Sequence, residues 1–376
     1  MESSGCWFNK LPKHMWELSI FSRLTVRDLV WSARVCRLWR SLACETLGRF
    51  HRLPWLMISR DKDTHIGTFL CLSDAKIYQL KLTPSASQSY CCGGSSKGYL
   101  IMANMQGNFL FDPFSKISID LPKQYVPRQD MVDAAAVCDF RYYFTKAILS
   151  SSMPDSSQLV LAALCSAPHI VEMCRPHNAE WSVTNAVKEE DKGFIIPGRR
   201  EPLAHIELNM LPMNRSRDAI GQNTGYLVES RGELLMVLRC YYSSVSDDGR
   251  TNKNVTTKFV VYKLDQSSVP FQWVQIRSLG DQMLYLGKNA SISISAKGNP
   301  RIKGNCIYFS DDLWYTFWYG VDPRHLYSDN GVFYLEDGRI DQFFFPTDYD
   351  IRSFRSHPIW ITPSNILGVQ FNTAFD

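Results

Sequence analysis

Gly225-Tyr226-Leu227-Val228-Glu229-Ser230-Arg231-Gly232-Glu233-Leu234-Leu235 reads as a strand, a tight turn ending on glycine, and a second strand. Two other stretches repeat the arrangement. Gly98-Tyr99-Leu100 leads to Gly107-Asn108-Phe109-Leu110, and Gly331-Val332-Phe333 leads to Gly338-Arg339-Ile340. Asp337-Gly338 is the strongest turn signal, because a type I′ turn needs positive φ at both central residues. Val260–Leu264 and Cys306–Phe309 add further strands of β-branched and aromatic residues. From Pro54 onward such runs alternate with clusters of Gly, Asn, Asp, Pro and Ser, and the period is nearer 2 than 3.6. A hairpin unit recurring over about 320 residues suggests a radial or sandwich-like β architecture, and blades of roughly 40–50 residues give six or seven of them. Loops are expected at Ser150–Ser157, Lys188–Gly193 and Ser243–Asn254.

Residues 8–50 have a different period. Pro12 stands where a helix can start, since its missing N–H would have no intrahelical partner there. Met15, Leu18 and Phe21 recur at helical spacing. Thr25 can cap a second helix, with Asp28 at the third position reaching back as in a capping box. Leu29, Val30 and Ala33 continue the apolar face, and Leu38, Trp39, Leu42 and Ala43 form another. Three helices in about 40 residues bury little surface alone, so this density of large apolar side chains predicts a partner. The fold class is α+β by segment. A small three-helix unit over residues 1–50 precedes a mainly-β domain over 51–376, read as a six- or seven-bladed propeller.

Composition narrows the function. The chain has 376 residues, an apolar fraction of 45% and a formal charge of +4, enough for a real core and two unequal domains. Residues 1–50 hold eight Lys/Arg and four Asp/Glu, so their excess of four equals the charge of the whole chain. A local excess of this kind suits an acidic partner, and a neutral body without Lys/Arg runs argues against nucleic acid. Eleven cysteines without C-x-x-C spacing suit a reducing compartment. Met1–Trp7 lacks the basic flank and apolar stretch of a signal peptide, and no apolar run approaches the ~18 residues of a membrane span. The expected location is cytoplasm or nucleus, without a membrane partner.

The segment Leu11-Pro12 … Ser22-Arg23-Leu24 … Asp28-Leu29 … Val35-Cys36-Arg37-Leu38-Trp39-Arg40 resembles an F-box. It carries one residue more between Leu11 and Leu24 than the commonest F-box spacing, so Ile20 and Phe21 compete for one pocket. The rest is similar to a plant F-box family whose C-terminal region is catalogued as a domain of unknown function with a kelch-like propeller shape. The stretches that carry this likeness include CLSDAKIYQLKL (71–82), FDPFSKISIDLP (111–122), YLVESRGELLMVLR (226–239) and SLGDQMLYLG (278–287). The resemblance implies a non-catalytic receptor subunit of a Skp-cullin-F-box ubiquitin ligase. In that role it would dock a Skp-family adaptor, and through it a cullin and RING ligase, and hold an unidentified target. It implies an adaptor surface of Leu11, Pro12, Ile20, Phe21, Leu24, Leu29, Val35, Cys36, Trp39 and Arg40. The alternative is a propeller that has lost ligase work and sequesters a partner.

Signals of chemistry are weak. Gly94-Ser95-Ser96-Lys97-Gly98 fits the G-x-S-x-G elbow, which requires a strand-to-helix turn; the run Tyr99–Met102 reads instead as another strand. His205-Ile206-Glu207 lacks the P-C-x-x-C of zinc deaminases, and the eight histidines show no ligand spacing. No cofactor, metal or catalytic residue is expected. Vicinal Cys91-Cys92 reads as two packed or half-exposed thiols rather than a strained redox pair. The aromatic cluster containing Trp314, Tyr315 and Trp318 is either core or a target-binding surface.

Overall fold

The computed structural model describes residues 12–104, 107–122, 144–151, 159–165, 170–175, 181–185, 222–245, 252–267, 271–299, 302–312, 329–343, 358–364, 366–369 and 371. All three hairpins read from the sequence are present. The turn after Ser230 has Arg231 at φ 56° and Gly232 at φ 79°, and the turn after Ser96 has Lys97 at φ 50° and Gly98 at φ 90°. Positive φ at both central residues matches the twist of the flanking strands. Asp337-Gly338 departs from expectation, because Gly338 alone has positive φ, at 73°. Tyr334 N–H bonds to the Arg339 carbonyl at 2.9 Å, so the loop holds four residues, Leu335–Gly338, rather than two.

The strands form five sheets among the described residues, not the six or seven blades expected. Blade one contains β1 (Trp55–Arg60), β2 (Ile66–Cys71) and β3 (Lys76–Lys81). Blade two contains β4 (Tyr90–Ser96), β5 (Tyr99–Asn104), β6 (Gly107–Phe111) and β7 (Ser118–Asp120). Blade three contains β8 (Phe144–Leu149), β9 (Leu161–Cys165), β10 (Ile170–Cys174) and β11 (Trp181–Asn185). Blade four contains β12 (Gln222–Ser230), β13 (Glu233–Val245), β14 (Asn252–Asp265) and β15 (Gln272–Ile276). The β13–β14 hairpin occupies both ends of the expected loop 243–254, since Ser243 pairs with Asn254 and Val245 with Asn252.

Blade five breaks the pattern. It holds β16 (Gln282–Leu286), β17 (Ile292–Ser295), β18 (Cys306–Phe309), β19 (Gly331–Tyr334) and β20 (Ile340–Gln342). Here β16 pairs antiparallel with β17 and parallel with β18. The C-terminal strand β21 (Ile359–Ile361) then joins blade one, pairing Trp55 with Ile361 and Met57 with Ile359. That pairing puts the first and last strands of the propeller in one blade.

Blades pack face to face, so a strand inside a blade is covered on both sides. Every residue of β16 is buried, as are Tyr99–Ala103 of β5. Polar groups at the seams must therefore find partners. Arg239 of β13 has no exposed surface. Its Nε donates to Thr256 Oγ1 at 2.8 Å, and Nη1 donates to the Ser310 carbonyl at 2.9 Å and Asp312 at 3.1 Å. Its Nη2 donates to the Asp329 carbonyl at 3.1 Å and carboxylate at 3.0 Å. All five guanidinium N–H groups are thus used, and they tie blade four to blade five.

Gly94 shows how tightly the ring centre is filled. It lies at a bulge of β4 with φ 82°, and a Cβ there would overlap the Lys288 carbonyl. Gly94→Ala is expected to destabilise the fold by roughly 2–4 kcal/mol, from left-handed strain plus a steric clash with backbone. Urea unfolding measures it, and a change under about 0.5 kcal/mol would mean the centre yields. No helix among the described residues is long and apolar enough to cross a membrane.

Candidate functional site

The N-terminal helices begin with α1 (Lys13–Met15), capped by Pro12. A π-turn over Trp16–Ile20 and a 3-10 turn over Phe21–Arg23 follow, then α2 (Val26–Ser32) and α3 (Arg37–Phe50). A π-turn takes one more residue than an α-turn. It therefore absorbs the residue by which the segment exceeds the commonest F-box spacing. Trp16 and Phe21 then face inward, and Ile20 faces solvent. Trp39 of α3 closes over them, edge-on to Phe21 at 5.7 Å between ring centroids and tilted to Trp16 at 6.2 Å.

These helices are not a free-standing module. Trp16, Phe21, Val26, Leu29, Leu42 and Leu47 share one buried cluster with Trp55, Phe69 and Tyr78 of blade one and Phe109 and Phe111 of blade two. Helix α2 starts with the expected capping box, Thr25 accepting from the Asp28 N–H at 3.2 Å and Asp28 from the Thr25 N–H at 3.3 Å. A second carboxylate comes from the propeller. Asp74, in the β2–β3 turn, accepts from the Val26 N–H at 3.0 Å and from the Tyr78 hydroxyl at 2.6 Å. An anion suits the positive end of a helix. Burial, aided by Asp74, pushes the Tyr78 phenol above its ordinary value and keeps it a donor. Asp74→Ala is expected to weaken this junction by about 1–3 kcal/mol, since two donors lose their acceptor. Faster amide exchange confined to α2 and its contacts would report it; unchanged exchange would contradict the assignment.

Beside this junction, ligand atoms of His51, Cys71 and Asp74 lie within 4.8 Å of one another. The Ser73 hydroxyl bridges His51 Nδ1 at 2.6 Å and Cys71 Sγ at 3.0 Å. Burial pushes the Cys71 thiol up to about 12, which keeps it protonated. The shared Ser73 hydroxyl makes the group a hydrogen-bonded knot.

The residues singled out in the sequence divide by exposure. Phe21 and Leu29 are buried and offer no surface to a partner in this conformation. Leu24 and Trp39 are half-buried against the core. Pro12, Ile20, Val35, Cys36 and Arg40 are exposed. Leu11 lies outside the described residues, as do Trp314, Tyr315 and Trp318. The structure adds Met15, Trp31 and Leu38, apolar and exposed by 43%, 51% and 40%, beside Val35 at 64%. Helical phase was the available signal for Trp31, which stands five residues from Val26 and so off the core face of Val26, Leu29 and Val30.

The serine motif carries no elbow. Ser96 ends β4 at a hairpin turn, and its hydroxyl accepts from the Leu149 N–H of blade three at 3.0 Å. Cys91 is a free thiol that burial pushes upward, with Sγ 3.2 Å from the Gly94 carbonyl. His205 and Glu207 lie outside the described residues. At the ring centre Lys146 Nζ lies 3.4 Å from the Gly287 carbonyl and 5.3 Å from the centroid of the Tyr226 ring. Burial holds its ammonium below the usual lysine value, with Asp312 opposing.

Residues 69–334 match the family described as KIB1-4 beta-propeller, more than half of the chain. The chain belongs to the KIB1-4 beta-propeller family. Residues 8–52 match the F-box-like family, so this propeller of the KIB1-4 type carries an N-terminal F-box. It is similar to F-box protein SKIP23 of Arabidopsis thaliana, 23% identical over 403 residues that cover 94% of this chain and 95% of that protein. It is likewise similar to F-box protein At2g14290 of the same plant, 23% identical over 78% of this chain and 82% of that protein. F-box protein At1g49360, also from Arabidopsis, is 28% identical over 34% of this chain and 27% of that protein. No solved structure matches. The KIB1-4 match runs from β2 to β19, while β1 and β21, which complete blade one, fall outside it.

Proposed function

We propose that the chain is the substrate-recognition subunit of an SCF-type E3 ubiquitin ligase. Its F-box docks a Skp-family adaptor, which links it to a cullin and RING subunit, and the propeller holds a target protein. The observation that carries this reading is the exposure of Trp31 on α2, Val35 in the α2–α3 turn and Leu38 on α3, while the buried face of these helices is already spent on the propeller. Exposed apolar side chains grouped at one site mark a protein interface. The π-turn supports a working box, because it takes up the additional residue while Phe21 and Trp39 stay packed. That the relatives are named F-box proteins supports it further.

The chain then works by proximity. Target lysines are held near a ubiquitin thioester carried by other subunits, which raises their effective concentration without side-chain chemistry from this protein. A core shared between F-box and blades one and two suits that task, since a rigid joint fixes where the target sits. The same core makes truncation at residue 50 a poor control, because it would strip cover from Trp55 and Phe69. Point variants are cleaner.

Reconstitution tests the proposal. The full chain, mixed with a Skp-family adaptor, a cullin, a RING subunit and the ubiquitin-activating and -conjugating enzymes, is expected to form ubiquitin conjugates on itself or on a co-purified target. The Val35→Asp/Leu38→Asp chain is expected to form none. Absence of conjugates and of any complex from folded wild-type protein would favour a propeller that sequesters its partner. Replacing Trp314 and Trp318 together is expected to abolish target capture and leave adaptor binding intact.

A further inference from the structure

We infer that the outer face of α3 is a docking strip for an acidic peptide segment, whose first end shares Cys36 and Arg40 with the expected adaptor surface and whose far end lies beyond it. Two concavities lie at the ends of this helix. One, of about 460 Å³, is rimmed by Arg34, Arg37 and Arg40 over a floor of Val30, Ala33 and Leu367. The other, of about 320 Å³, is rimmed by Arg49, Arg52 and Lys297 over a floor of Leu53, Ile294 and Ile302. No Asp or Glu lines either one. All six cations are exposed, and none forms an ion pair among the described residues. The neighbouring carboxylate, Glu45, is held by Lys13 at 2.7 Å.

Between the two ends, Ser41, Cys44 and Gly48 follow Arg37 at spacings of three or four along one stripe of the helix. Ser41 and Cys44 leave a shallow lane that ends where the Arg52 guanidinium lies against Gly48. Fourteen helical residues rise about 21 Å, which an extended segment of six or seven residues spans. The strip therefore fits a peptide with a cluster of carboxylates at each end and an apolar side chain near each cluster, the carboxylates meeting the arginines and the apolar groups the aliphatic floors. Nucleic acid fits less well, because the cavities offer aliphatic floors and no aromatic ring for a base to stack on. The far end reaches blade five, so the occupant bridges the F-box and the propeller.

The test uses the full chain and a fluorescein-labelled peptide of about seven residues, acidic and leucine-bearing at both ends to suit this span. Fluorescence anisotropy is expected to show saturable one-to-one binding. Arg37→Glu and Arg52→Glu, one from each concavity, are each expected to weaken it at least tenfold with the unfolding midpoint unchanged, and Arg52→Glu, remote from the adaptor surface, is expected to leave adaptor binding unchanged. Should Arg52→Glu fold poorly, Lys297→Glu takes its place. The peptide with amides in place of its carboxylates is expected not to bind. Wild-type affinity in both single variants would overturn the proposal. So would equal competition by single-stranded RNA of the same charge, which would make the strip a general polyanion surface. Adaptor binding followed in parallel keeps this result independent of the ligase reading.

Discussion

Asp329→Ala is expected to destabilise the protein by roughly 3–5 kcal/mol, the range for removing one partner of a buried ion pair. Asp329 is buried, and its carboxylate accepts from Arg239 at 3.0 Å, from the Thr256 N–H at 2.9 Å and from the Thr256 hydroxyl at 2.7 Å. Alanine would leave a fully buried guanidinium with Asp312 as its one hydrogen-bonded carboxylate and would orphan two donors of Thr256. Asp312, with its side chain 11% exposed, cannot move to replace it, because it already accepts from the Tyr226 hydroxyl at 2.9 Å. Asp329→Asn keeps an acceptor in place and is expected to cost less than Asp329→Ala. Urea unfolding of the three proteins gives the order. A change below about 1 kcal/mol for Asp329→Ala would show that this seam contributes little.

The second large effect is on binding. Val35 and Leu38 are exposed by 64% and 40%, and neither belongs to a buried cluster, so aspartate at both positions disturbs little packing. Stability is expected to stay within about 0.5 kcal/mol at each site. Adaptor affinity is expected to fall at least about a hundredfold, because burying each apolar side chain against a partner is worth roughly 1.5–3 kcal/mol and burying a carboxylate there is unfavourable. Isothermal titration calorimetry beside thermal unfolding separates the two. Equal loss of fold and binding would place Val35 and Leu38 in the core instead.

Much of this was legible in the chain because the signals are local. Thr25 and Asp28 stand three apart, so the cap of α2 could be read from two letters. Arg231-Gly232 could be read as a turn because few residues tolerate positive φ. Blade number could not be read this way. Hairpins count strands, but β21 joins blade one from the far end of the sequence and β18 returns parallel to β16. Arg239 sits within the apolar run Val237-Leu238-Arg239-Cys240, and what makes its burial tolerable stands ninety residues on, at Asp329. Asp74 caps a helix that begins forty-eight residues earlier, a partnership that no periodicity encodes. Of the F-box residues, the pattern identified the apolar set but not its division. Phe21 and Ile20 separated only once the π-turn fixed the phase.

The most direct measurement is calorimetric titration of a Skp-family adaptor into the wild-type chain, with the Val35→Asp/Leu38→Asp chain alongside. A one-to-one complex with wild type, and no heat of binding from an equally folded variant, is the predicted result. No binding by folded wild-type protein, or the same affinity in both chains, would contradict the assignment of this surface to the adaptor.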